Sequence, residues 1–369
     1  MEQHGDNRKT QRILDRYREE IDGIDRQIIS LLSRRQEIAV SVGTIKRGLG
    51  LEVFDQAREE DVLRRVISAS GKNMPENAVR QIFTEIISAA RSVQQDLVVS
   101  FLGPEGTFCH QAALNIFGHS TTLRSADTIA GVFDLVEKGV CRQGVAPVEN
   151  SYEGSVNNTL DLLYKYDLKI TAEAFLRIRH HLLGITGDIE DINSLYSHPM
   201  AISQCRLWIR ENLPGVPIGE MESTSTAAKR AAEEPGAGAI GSRMSARTYN
   251  LNIIQENIED NPNNITRFLI IGKNHTAPTG KDKTSLVFSV SHKPGALNKV
   301  LDALALRHIN MNRIESRPIG TRNWEYLFFV DIEGHEKDDG VREAIREMGE
   351  GSSFMKNLGS YPAGGEPWD

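Results

Sequence analysis

The sequence predicts a multidomain chain built from an all-α block, an α/β block and a small α+β sandwich. Three observations carry that reading. Residues 8–47 hold one proline-free apolar pattern with steps of three and four. Strand and helix signals alternate from about Leu97 to Gly272. From Thr284 to Tyr361 the order is strand, helix, strand, strand, helix, strand, the order of a ferredoxin-like sandwich. The boundaries are drawn at 8–96, 97–273 and 284–361, with the polar stretch KNHTAPTGKDK as linker. At 369 residues there is room for a core in each block.

Composition narrows the function. A formal net charge of −7 argues against nucleic acid as the main ligand, because phosphate binding wants a basic face. The 3 cysteines (Cys109, Cys141 and Cys205) have no paired spacing, so neither a disulfide framework nor a metal site is expected. The polar N-terminus lacks the apolar core of a signal peptide, and no apolar run approaches the ~20 residues of a membrane span. A soluble, cytoplasmic protein is expected.

In the first block Leu14, Tyr17, Ile21, Ile24, Ile28, Leu31, Ile38, Val42 and Ile45 form the apolar seam, and the same rhythm puts Arg35 on it. A helix over 8–47 runs about 60 Å, too long to bury its seam within one small domain. It needs a partner chain, and Arg35 needs an anion. Lys46, eleven residues on, falls within about 20° of Arg35, whereas Arg18 points away and is better placed to reach a neighbouring helix. A second helix, with Val62, Leu63 and Val66 as its buried side, carries Asp55, Arg58 and Glu59 at its start. A third begins at Met74-Pro75, and Gln94 extends its stripe of Phe83, Ile86, Ile87 and Ala90. Arg34 and Arg47 lie off the seam and read as solvated. Inward polar groups are costly unless paired, by about 1–3 kcal/mol, so their convergence suggests a dry cationic pocket for a small dianion.

The segments YREEIDGIDRQIISLLSRRQEIAVSVGTIK, VFDQAREE and IFTEIISAARSVQQ resemble the all-helical chorismate mutases. That resemblance implies an intertwined dimer in which each site borrows Arg18 from the partner, with Arg35, Lys46 and Arg58 from the home chain. It implies Asp55 and Glu59 at the substrate hydroxyl and Gln94 near the ether oxygen. Lys46 is the other candidate for that oxygen. The reaction is pericyclic, so catalysis must come from holding the reactive shape and stabilising charge on the breaking bond. Many relatives have serine where this chain has Ala90.

In the middle block LVVSFLG, GVAPV, LKITAEAFL, SLYSH, AGAIGS and TRFLIIG read as strands. GPEGTFCHQAA turns from strand into helix, where free N–H groups suit an anion, though a plain turn fits equally. APVENSYEGSV, YSHPMAISQC, ESTSTAA and ITRFLIIG each put polar residues at a strand end, the edge where open α/β domains bind ligands. Together these resemble prephenate dehydratase from Val99 to Gly272, with Thr266-Arg267-Phe268 as the most specific mark. The resemblance implies two α/β lobes about a cleft, similar to periplasmic binding proteins. It makes Thr266 the donor to the departing hydroxyl, with Glu149 behind it if burial raises its pKa. Arg267 is expected to grip a carboxylate, and Asn150, Ser151, Ser197, His198, Gln204, Ser223, Thr224 and Phe268 to line the cleft. His198, before Pro199, reads equally as structural. No metal or organic cofactor is implied.

In the last block GALN (Gly295, Ala296, Leu297, Asn298) and ESRP (Glu315, Ser316, Arg317, Pro318) resemble the ACT domain that senses phenylalanine in bifunctional dehydratases. Gly295 is expected to admit the amino acid's polar head, and Leu297 with the region near Trp324 to frame its side chain, at a dimer interface. The whole chain is thus similar to the bifunctional chorismate mutase–prephenate dehydratases, acting on chorismate and prephenate under phenylalanine inhibition, as a homodimer or a tetramer of two such dimers. Three alternatives stay open on the sequence: a dehydratase whose helical block serves only dimerisation, an arogenate enzyme, and a non-catalytic amino-acid sensor.

Overall fold

The computed structural model describes residues 3–49, 54–318 and 326–368. The first block is three helices, α1 (Gln3–Gly48), α2 (Gln56–Ala69) and α3 (Glu76–Ser92). Asp55 caps α2 by accepting from Arg58 N at 3.0 Å. Only the C-terminal third of α1 packs on α3. There Gly43 lets the helices close, since a Cβ would stand 2.8 Å from Gln94 Cγ. The rest of α1 projects with its seam uncovered: Tyr17 is 56% exposed, Ile21 57% and Leu31 69%.

The middle block follows as β1 (Val98–Leu102), α4 (Phe108–Phe117), β2 (Thr122–Ala126), α5 (Ile129–Glu137), β3 (Gln143–Asn150), β4 (Gly154–Ser155), α6 (Asn157–Lys165) and β5 (Lys169–Arg177). The chain then enters a second lobe: β6 (His181–Gly184), β7 (Ser194–Ser197), α7 (Pro199–Gln204), α8 (Arg206–Asn212), β8 (Ile218–Glu220), α9 (Thr224–Glu233), β9 (Ala237–Gly241), α10 (Arg243–Thr248) and β10 (Asn252–Gln255). It returns through β11 (Ile265–Gly272) to the first sheet. The first sheet is ordered β2-β1-β3-β11-β5, with β4 beside β3, and the second β10-β6-β9-β7-β8. Two sheets give two lobes, as expected. The sequence pattern does not show β2, β4, β6, β8 or β10, none of them longer than five residues.

The last block is β12 (Asp282–Ser289), α11 (Ala296–Ala305), β13 (Met311–Pro318), β14 (Tyr326–Glu333), α12 (Asp339–Gly351) and β15 (Phe354–Pro362). Its antiparallel sheet, β13-β14-β12-β15, carries both helices on one face, around Leu286, Phe288, Val300 and Met348. The other face packs on the first lobe: Val287, Leu327, Phe329 and Tyr361 share a core with Leu163, Ile170 and Leu269. Among the described residues no helix is long and apolar enough to cross a membrane, and no cluster of His, Cys, Asp and Glu fits a metal.

Candidate active sites and regulatory pocket

In the helical block one cavity is lined by Arg35, Lys46, Asp55, Arg58, Glu59, Ala90, Arg91 and Gln94 over a floor of Ile38, Val42, Val62 and Ile87. Six of the seven residues expected there are thus brought together by one chain. Arg35 Nη1 donates to Ile86 O at 3.2 Å, and burial draws its guanidinium below its usual pKa, with Glu59 opposing. Burial pushes the Glu59 carboxyl above the ordinary range, with Arg91 pulling the other way. Gln94 Nε2 is held by Ala90 O at 2.9 Å. Arg58 turns outward to Asp61 at 2.9 Å. Arg18 is on the exposed stretch of α1, 3.5 Å from Asp15, and sits roughly 25 Å along the helix from Arg35. No single chain can bring it to this cavity. Arg47 donates to Gln94 O at 3.2 Å, so it braces the site from outside.

The second cavity lies between the lobes. Thr266 and Phe268 of β11, Asn150, Asn264, His180 and Ile178 line it from one side, and His198, Gln204, Ser223 and Thr224 from the other. Thr107 and Phe108 close one end. A chain of hydrogen bonds crosses it. Asn150 Nδ2 donates to Thr266 Oγ1 (2.9 Å) and to Asn264 Oδ1 (2.7 Å). Asn264 Nδ2 donates to Gln204 Oε1 at 3.1 Å, and His180 Nε2 lies 2.9 Å from that oxygen. A carbonyl oxygen only accepts, so His180 carries its proton on Nε2. Burial holds the imidazole pKa low, and its buried Nδ1 has no hydrogen-bond partner among the described residues. Because Thr266 Oγ1 already accepts from Asn150, its own proton is free to be donated into the cleft.

Several expected cleft residues are elsewhere. Alternation along β11 sends Thr266 and Phe268 to the cleft and Arg267 to the opposite face. There Arg267 is buried against Glu173 (2.7 Å), Asp331 (2.6 Å) and Tyr361 (3.0 Å), so the carboxylates it grips are the protein's own. Glu149 is paired with Arg267 in the strand register and shares that face, 3.3 Å from Arg313. Ser197 is fully buried and donates to Ile240 O at 2.8 Å. Ser151 donates to Asn263 O and accepts from Ile265 N, fixing the approach to β11. The GPEGTF turn is also already engaged. Thr107 caps α4, and the Gly106 carbonyl accepts from Ser242 (3.0 Å) and Ser245 (2.8 Å) of the second lobe. Gly106 has φ +84 and no room for a Cβ, which would stand 2.8 Å from Ser225 Oγ.

Comparison with known proteins matches this layout. Models of chorismate mutase type II, prephenate dehydratase and the ACT domain match residues 17–95, 99–276 and 284–350. A bifunctional chorismate mutase/prephenate dehydratase from Aquifex aeolicus is 43% identical over 95% of this chain and 98% of its own length. The chain belongs to the bifunctional chorismate mutase/prephenate dehydratase family. The prephenate dehydratase of Arthrobacter aurescens, solved in complex with L-Phe, is 34% identical with a TM-score of 0.67, covering 72% of this chain and 90% of that one. A structure described as a quorum-quenching acylase, GqqA, is 31% identical with a TM-score of 0.66, covering 72% and 98%.

In the ACT domain Gly295, Ala296, Leu297 and Asn298 line a pocket with His292, Tyr326 and Phe328. Gly295 has φ +78 and caps α11 with its left-handed backbone. The ESRP segment is not brought to this pocket within one chain. It lies on edge strand β13, where Glu315 accepts from Ser155 at 2.8 Å and Arg317 pairs with Asp161 at 2.8 Å. Trp324 lies outside the described residues.

Sequence reasoning misses His180, Asn264, Thr107 and Phe108 in the dehydratase cleft and Arg91 in the mutase pocket. Each is a single residue in a connection or off an apolar stripe, with no periodic signal. Thr107 alone is legible, as the cap that follows GPEG.

Proposed function

We propose that the mutase cavity turns chorismate into prephenate and that the interlobe cleft turns prephenate into phenylpyruvate, carbon dioxide and water. The observation that carries this reading is the presence, in one chain, of two separate cavities of different chemistry, one rich in cations and one lined by neutral hydrogen-bonding and apolar groups apart from Glu222. The first is cationic. Arg35, Lys46, Arg58 and the partner subunit's Arg18 would bind the dianion, Asp55 and Glu59 the ring hydroxyl, and Lys46 with Gln94 the ether oxygen. No nucleophile is needed, because the step is an intramolecular rearrangement of a held conformer.

Among the described residues, the second cavity has no lysine or arginine in its lining. Its anion-binding capacity comes instead from helix N-termini, since Thr107, His198 and Ser223, which line it, cap α4, α7 and α9. Thr266 would donate to the leaving ring hydroxyl while the ring carboxylate departs as carbon dioxide and its electrons aromatise the ring. Asn150 would set the direction of that donation. A cationic site that makes prephenate in the same chain favours dehydration over the acylase activity named for GqqA.

Phenylalanine would bind at Gly295–Asn298, completed by the ESRP edge of a partner subunit, and inhibit the dehydratase. The uncovered seam of α1 supports a homodimer formed through that helix. Product analysis tests the reading: the full chain given chorismate should yield phenylpyruvate with prephenate as intermediate, and the rate should fall as phenylalanine is added. Turnover of prephenate but not chorismate would reduce the helical block to a dimerisation module.

A further inference from the structure

Arg91 takes no part in either proposed reaction, yet it is the one buried cation among the described residues of the helical block, with its side chain 4% exposed. One nitrogen, Nη1, donates to both carboxylate oxygens of Glu59 at 2.8 Å. The other, Nη2, donates to Phe117 O at 2.6 Å and to Thr121 Oγ1 at 2.9 Å, both beyond the helical block. Phe117 ends α4, whose C-terminus carries the negative end of the helix dipole and favours a cation. The guanidinium also lies over two neighbouring rings, 5.5 Å from the Phe54 centroid and 5.8 Å from that of Phe117. Thr121 gives its own proton to Phe117 O at 2.8 Å, leaving its lone pairs for Arg91.

We propose that Arg91 is a positioning residue for the mutase step, holding Glu59 as an oriented acceptor for the substrate hydroxyl and taking its own position from the end of α4 in the dehydratase domain. The proposal rests on the mutase reading. The contact opposes the uptake of a proton by Glu59: burial and the neighbouring Asp55 favour that uptake, and a fixed cation bonded to both oxygens resists it, as Lys46 does. It also makes the mutase site depend on a helix whose other end, Thr107 and Phe108, lines the dehydratase cleft.

The test is the mutase kcat/KM of the full chain against pH for wild type, Arg91→Met, Arg91→Lys, Thr121→Val and Glu59→Gln. Arg91→Met should cost roughly tenfold or more at neutral pH, with the acid limb moved to higher pH so that the loss shrinks as pH rises. Arg91→Lys should recover part of it. Combined with Glu59→Gln, Arg91→Met should add less than about twofold, because the group it serves is gone. Should Arg91→Met fail to fold alone, Thr121→Val decides, with a loss of roughly threefold expected although Thr121 lies outside the helical domain. A loss uniform in pH and additive with Glu59→Gln would make Arg91 a packing contact and overturn the proposal, as would an unchanged Thr121→Val profile. No chorismate turnover by the wild type would instead overturn the mutase reading itself.

Discussion

Arg267 Nη1 stands 2.6 Å from Asp331 Oδ2, so the strand that carries Thr266 is bonded to the ACT sheet one residue away from the cleft. Ser285 and Tyr361 complete a buried polar junction, with Ser285 Oγ 2.5 Å from Asp331 and 2.6 Å from the tyrosine hydroxyl. Removing one partner strands the other charge. Arg267→Met should therefore destabilise the dehydratase–ACT unit by roughly 3–5 kcal/mol. Urea denaturation of the full chain followed by tryptophan fluorescence measures this, and a change below about 1 kcal/mol would contradict the junction's importance.

The same junction predicts a pH dependence. Burial pushes the Asp331 carboxyl up, but Arg267 and Ser285 outweigh it and hold the carboxyl below its ordinary value. A folded-state value below the unfolded one means that the stabilisation is fully present above about pH 4 and is lost as pH falls through the folded-state value. Asp331→Asn should flatten that acid limb in a plot of unfolding free energy against pH. An acid limb identical to wild type would show that other carboxylates carry it.

Asn150 is expected to act through Thr266. Thr266→Val should lower the dehydratase kcat by about a hundredfold or more, the loss of a hydrogen-bond donor at the leaving group. Asn150→Asp, which replaces the donating amide with an acceptor, should lower kcat by about tenfold or more while Thr266→Ser keeps most of the rate. Steady-state dehydratase kinetics check all three. Full activity in Thr266→Val would remove the donor role.

Regulation turns on Gly295. Its φ of +78 suits glycine, and nothing lies within 4 Å of where a Cβ would stand, so a side chain there meets strain rather than a clash. Gly295→Val should raise the phenylalanine concentration for half-inhibition by about tenfold, since left-handed backbone penalises a β-branched residue. A titration of dehydratase rate with phenylalanine reads this directly, and an unchanged curve would move the ligand away from the GALN turn.

Much of this architecture is legible in the sequence because it is local. The period of α1, the strand-to-helix turn at GPEGTF, and the strand–helix order of the last block are all written within a few residues of where they act. Arg267 and Glu149 are misplaced when the TRF and PVENS segments are assigned whole to the cleft. A strand sends neighbours to opposite faces, and the ACT sheet that covers the far face is set by packing between blocks. Arg91 is invisible for a related reason. It is one step off the Ala90–Gln94 stripe, and what buries it is α4, a helix of the next domain. His180 and Asn264 lie in the connections between lobes, where no period distinguishes a site residue from a solvated one.

The central claim is that one chain holds two consecutive active sites, and product analysis on three full-length chains supplied with chorismate tests it most directly. Wild type should form phenylpyruvate, Thr266→Val should stop at prephenate, and Arg35→Ala should leave chorismate untouched while still consuming added prephenate. Contradiction would come from an Arg35→Ala chain that still converts chorismate at the wild-type rate, or from a wild type that forms no prephenate at all.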